Sequence, residues 1–87
     1  MEKFRVSSTT ITITKSTTLN PERRYAGWMC VNQGTGAATV MGYQLQPGEG
    51  LDYLQAVPAG GYWDTPITII CDAGAQVVFT RLQYTEF

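Results

Sequence analysis

The chain is a succession of short runs of β-branched and aromatic residues cut by Gly, Pro, Asn and Asp, and no segment repeats apolar residues at helical spacing. Residues 9–18, TTITITKSTT, show the pattern most plainly. Hydroxyl and isoleucine side chains alternate there, so Ile11 and Ile13 share one face of a strand and Thr10, Thr12 and Thr14 the other. We expect the isoleucines to meet a core or an interface and the threonines to face away. Phe4 and Val6 have the opposite parity, which predicts a change of apolar face at SSTT through a bulge, a bend or a change of sheet. The strand is then a wall of its own domain, an arm offered to a neighbour, or both.

Downstream, NPERR reads as a loop with Arg23 and Arg24 at its tip, a basic pair that reads first as a solvated loop tip and otherwise as a contact for phosphate or a partner's acidic surface. Residues 25–32 form a strand, NQGTG a hairpin turn, and residues 37–45 the strand paired with it. QPGEG suits a type II turn, with Pro47 presetting φ and Gly48 in the left-handed position. Leu51, Tyr53 and Val57 share a parity before PAGG breaks the run. ITIIC is almost continuously apolar and reads as a strand buried on both faces at the centre of the core. DAGAQ turns the chain into VVFTRLQYTEF, a final strand with Val77 and Phe79 on one parity and Val78, Leu82 and Tyr84 on the other. About six or seven short strands at this spacing point to an all-β fold, an antiparallel β-sandwich filling residues 1–87 as a single domain. Jelly-roll-like and immunoglobulin-like strand orders both remain open.

The composition narrows the functions such a fold can carry. Six basic against seven acidic residues give a net charge of −1, so nothing supplies the phosphate neutralisation of nucleic-acid binding. Histidine is absent, which removes the commonest general base and metal ligand. Cys30 and Cys71 sit in apolar runs and are expected as free buried thiols. Glu49, Asp52, Asp64 and Asp72 stand where turn chemistry accounts for them, and neither GTG nor AGG is followed by the lysine and helix of a phosphate loop. We therefore expect no enzyme, metal or cofactor. MEKFRVSSTT lacks the apolar segment of a signal peptide and no run reaches membrane-spanning length, so folding in a cytoplasm and no membrane partner are expected. Only 15% of residues are charged while 44% are apolar, a surface better suited to being covered by partners than to standing alone.

Two surfaces are candidates for contact. The first is the strand with Ile11 and Ile13, as a sheet edge onto which another strand adds. The second is Tyr62, Trp63 and Asp64: adjacent strand residues point to opposite faces, so at most one of the two aromatics is core. An exposed aromatic beside a carboxylate can anchor a protein interface or stack on a sugar ring; the alternative reading is a small glycan-binding module with Tyr62 and Trp63 as a stacking platform and Asp64 or Asp52 accepting sugar hydroxyls. Trp28, within GWMCV, is expected in the core.

The run VNQGTGAATVMGYQLQPGEGL, residues 31–51, resembles the segment N-x-G…V-x-G-x-x-L-x-P-G-E of small β-sandwich virion proteins of tailed bacteriophages. The resemblance implies an accessory capsid, head-fibre or tail protein without enzymatic activity. Its expected partners are copies of itself or other virion proteins, and its expected location the virion.

Overall fold

A computed structural model describes residues 4–21, 25–55 and 61–86. Among them are eight strands and no helix: β1 (Phe4–Ile13), β2 (Thr17–Leu19), β3 (Tyr25–Asn32), β4 (Ala38–Val40), β5 (Tyr43–Leu45), β6 (Gly50–Asp52), β7 (Ile67–Cys71) and β8 (Val77–Glu86). They make two four-stranded antiparallel sheets, ordered β1-β8-β3-β6 and β2-β7-β4-β5. The inner faces of both sheets contribute to one apolar cluster, the layering of a β-sandwich. Trp28, Phe79, Ile67, Ile69, Val40 and Val77 lie fully buried in it.

The all-β reading holds, and the described strands outnumber the expected six or seven because residues 37–45 are two strands and Thr17–Leu19 forms a further short one in the other sheet. Met41 and Gly42 take φ of 51° and 85°, the pair of positive values that a two-residue type I′ hairpin requires. That hairpin joins β4 to β5. NQGTG is therefore not the hairpin turn we expected, and residues 37–45 do not pair with β3. The chain instead crosses there from one sheet to the other, and β3 lies between β8 and β6. The glycines of NQGTG serve close approach: a Cβ on Gly34 would strike the carbonyl of Gly74, and one on Gly36 that of Ala73. The two loops thus lie backbone against backbone.

Pairings run β1 with β8, β2 with β7, β3 with β6 and β4 with β5. The chain goes out through four strands, reverses at Met41-Gly42 and returns beside its own path. Two further pairings, β3 with β8 and β4 with β7, roll this ribbon into the two sheets.

Asn32 pins the roll. Its side chain is fully buried, with Nδ2 donating to the carbonyls of Gly36 (2.8 Å) and Leu45 (3.0 Å). Its Oδ1 accepts from the N–H groups of Gly34 (3.1 Å) and Gln76 (3.3 Å). One amide thereby satisfies backbone groups from the crossover, from β5 and from the loop before β8.

The QPGEG turn forms as expected: Gly48 has φ of 91°, and Glu49 N–H bonds to Gln46 O at 2.9 Å. DAGAQ closes similarly, with Gly74 at φ 87° and Ala75 N–H on Asp72 O at 3.0 Å. Two expectations fail. The register of β1 on β8 is unbroken from Phe4↔Glu86 to Ile13↔Val77, so SSTT holds no bulge or change of sheet. Val6 simply faces outward and is 50% exposed. ITIIC is not buried on both faces either: Ile67 and Ile69 fill the core while Thr68 and Ile70 are exposed, Ile70 by 50%. β7 is central in its sheet, yet its outer face at Thr68 and Ile70 stays exposed. Arg23, Arg24 and Val57 lie outside the described residues.

Candidate functional site

β1 is the terminal strand of its sheet. Ile13 is buried and Ile11 packs partly against the core, whereas Thr10, Thr12 and Thr14 are exposed, as the alternation predicts. The backbone direction of β1 follows from the ladder on the far side of the sheet. Trp28 and Tyr53 exchange both backbone hydrogen bonds (3.4 and 2.8 Å), and Asn32 N–H bonds to Glu49 O at 2.8 Å. Even-numbered residues of β3 thus direct their N–H and C=O groups away from β8, and Met29 and Val31 direct theirs toward Thr80 and Val78. Alternation then turns Val77, Phe79 and Arg81 toward their partners Ile13, Ile11 and Thr9. That leaves Phe4, Val6, Ser8, Thr10 and Thr12 with N–H and C=O directed off the sheet: five residues with two groups each, ten in all.

The other three edges, β6, β2 and β5, have three residues apiece. Natural sheets protect edges by shortness, charge, proline or bulges. β1 has ten residues, an unbroken register, no proline, and Arg5 as its one charged residue. Thr10 Oγ1 and Thr80 Oγ1 lie 3.0 Å apart, a hydroxyl pair between β1 and its neighbour β8 that supports their register.

At the opposite side of the sheet, aromatic rings converge. Trp28 stacks on Phe79 (5.4 Å between centroids), lies 4.8 Å from Tyr53 and meets Trp63 edge to face at 5.6 Å. Trp63 is held by its N–H on Tyr25 O (2.8 Å) and its indole N–H on Thr65 O (2.7 Å). Tyr62 is 42% exposed and Asp64 is exposed. One of the adjacent aromatics packs inward and the other does not, so the two rings do not share a platform. Arg81, directly across from Trp28, has its guanidinium 5.7 Å from the Tyr25 ring centre and donates to Tyr25 Oη at 3.3 Å. Arg81 Nε and the Trp28 indole N–H are buried without an acceptor among the described residues. Each such donor costs about 1–3 kcal/mol, which ring packing around it must offset.

Sequence reasoning did not find Arg81 in this cluster. The signal was parity: Arg81 shares the inward face with Val77 and Phe79.

Both cysteines are free thiols. Burial pushes the Cys30 thiol up, and a hydrogen bond with the Leu51 backbone offsets part of this. Burial, and then the charge of Asp72, push Cys71 up as well. Neither is an activated nucleophile. Glu49 and Asp52 spend a carboxylate oxygen on local turns, accepting from Gln46 N–H (2.7 Å) and Leu54 N–H (3.0 Å). Among the described residues no group of three or more Cys, Asp or Glu side chains could hold a metal ion. The chain matches no family model, and no curated protein and no solved structure is significantly similar to it.

Proposed function

We propose that this chain is a non-enzymatic structural protein that assembles through an open sheet edge, as an accessory component of a tailed-phage virion. The observation that carries the reading is the ten-residue edge β1, beyond which no described strand lies, with its five residues of outward backbone groups. The virion setting rests on the likeness of residues 31–51 to phage β-sandwich proteins.

A jelly-roll winding belongs to the same proposal. Support comes from the order β1-β8-β3-β6 facing β2-β7-β4-β5, in which a folded ribbon of eight strands is rolled up. An immunoglobulin-like order is less well supported, since it would pair the first two strands and here β1 and β2 lie in different sheets. Jelly rolls occur in viral capsid and lectin domains alike, so the edge and not the fold decides between assembly and sugar binding. The glycan reading draws less support, because Trp63 is packed among Trp28 and Tyr53 instead of lying beside Tyr62 as a stacking surface.

The test is co-sedimentation of the purified chain with tailed-phage particles, alongside its native mass. Association with particles or a stable multimer is expected. A monomer that binds no particle component at any concentration refutes the reading.

A further inference from the structure

Resting on that assembly reading, we infer that β1 pairs with β1 of a second copy, antiparallel about a two-fold axis at Ser8, joining the two sheets into one continuous eight-stranded sheet.

The outward row of β1 asks for a strand of matching length. Each of the other edges offers three residues and would leave most of the row unpaired, so within copies of this chain only β1 answers β1. Such a contact is closed and stops at two copies, whereas pairing β1 to a different edge would propagate. Bonded pairs must join outward residues on both strands, so paired residue numbers sum to an even value. Centring on Ser8 matches the whole row to itself: Phe4 with Thr12, Val6 with Thr10, and Ser8 with Ser8. Each of the five pairs exchanges two hydrogen bonds, ten in total. Ten direct hydrogen bonds is about the number that a typical specific protein–protein interface carries.

Side chains and charge agree with this register. Ser8, a small exposed residue, stands at the axis, and Ser7 and Thr9 meet across it. Sliding the centre to Thr10 would set Arg5 opposite Lys15 of the other copy, a like-charge pair. A two-fold axis perpendicular to the sheet keeps both cores on the same side, so Ile11 and Ile13 stay inside in each copy.

The experiment is sedimentation equilibrium of the full chain and two variants. Thr10→Pro removes an N–H that bonds to nothing among the described residues, and Ser8→Lys sets two ammonium groups against each other without touching the backbone. The wild-type chain should sediment as a dimer. By symmetry Thr10→Pro deletes two hydrogen bonds, weakening the dimer by about 30-fold or more. Ser8→Lys should weaken it too, with unchanged circular dichroism. Oxidised Ser8→Cys should give a covalent dimer absent from the wild type, since a hydrogen-bonded antiparallel pair spaces its Cα atoms about 5.5 Å apart, within disulfide reach. A dimer that folded Ser8→Lys leaves intact, or a monomeric wild-type chain, overturns the inference. If that monomer still joins phage particles and Ser8→Lys prevents it, the assembly reading stands with a different partner; if it joins none, both fall.

Discussion

Replacing Asn32 with alanine removes the amide that satisfies four backbone groups from three separate stretches of chain. The two carbonyls, of Gly36 and Leu45, accept at 2.8 and 3.0 Å, and the N–H groups of Gly34 and Gln76 donate at 3.1 and 3.3 Å. Intramolecular hydrogen bonds contribute about 1 kcal/mol each, and a buried group left unmet costs about 1–3 kcal/mol. The Leu45 bond is fully buried and the others partly so, which puts the expected loss at roughly 3–5 kcal/mol. At about 0.05–0.15 kcal/mol per residue, an 87-residue chain has only roughly 4–13 kcal/mol in total. The variant should therefore be close to unfolding at room temperature, read by urea denaturation with the emission of buried Trp28 as the signal.

Asn32→Asp separates hydrogen bonding from volume. The introduced carboxylate keeps both acceptor contacts but faces two carbonyl oxygens with no proton to donate, so its folded-state pKa lies above the unfolded value of about 3.9. A group raised in this way favours folding below its unfolded pKa and loses that contribution as pH rises through the folded one. Asn32→Asp should accordingly be most stable in mild acid and weaken toward neutrality. A loss below about 1 kcal/mol for Asn32→Ala, or an Asn32→Asp stability that rises with pH, would refute the role assigned to this side chain.

Other expectations follow from individual contacts. Gly36→Ala should destabilise by about 1–3 kcal/mol, since its Cβ meets the Ala73 carbonyl; Gly42→Ala, in open space, should cost about 1 kcal/mol from its positive φ alone, both measured by thermal melts. Trp63→Ala should cost about 3 kcal/mol or more by removing a ring from the aromatic cluster, whereas Tyr62→Ala should stay within about 1 kcal/mol; equal effects would contradict the division between them. In thiol labelling of the native chain, half-buried Cys71 should react before Cys30, which should react only at the rate of unfolding; both should lag a free cysteine at pH 8 because burial raises both thiols.

Whatever depends on two or three neighbouring residues was legible in the chain itself. Period-two alternation placed Ile11 and Ile13 inward and Thr10, Thr12 and Thr14 outward, and set Val77 and Phe79 on one face of the last strand, the face that the structure buries. Pro47-Gly48 specified its own turn because the required φ values are properties of those two residues. The β4–β5 hairpin was missed because methionine is not a turn residue, and only the surrounding strands hold Met41 at positive φ. Gly34 and Gly36 looked like hairpin glycines because a glycine needed for close approach cannot be told from one needed for φ until the second loop is in place.

Alternation also could not say what covers a face. Val6 and Ile70 carry the same apolar signal as buried neighbours, yet lie on outward faces. The chain by itself determined that it would be strands, that QPGEG and DAGAQ would turn, and which side of β1 is apolar, since these are local matters of sterics and hydrophobic period. The tertiary structure decided that β3 pairs with β8 and not with the strand after it, that Asn32 would be sealed among two loops and β5, and that β1 would end a sheet. Those outcomes rest on contacts between distant parts of the chain, where the gain from shared burial chooses among pairings that every strand's backbone could make equally well.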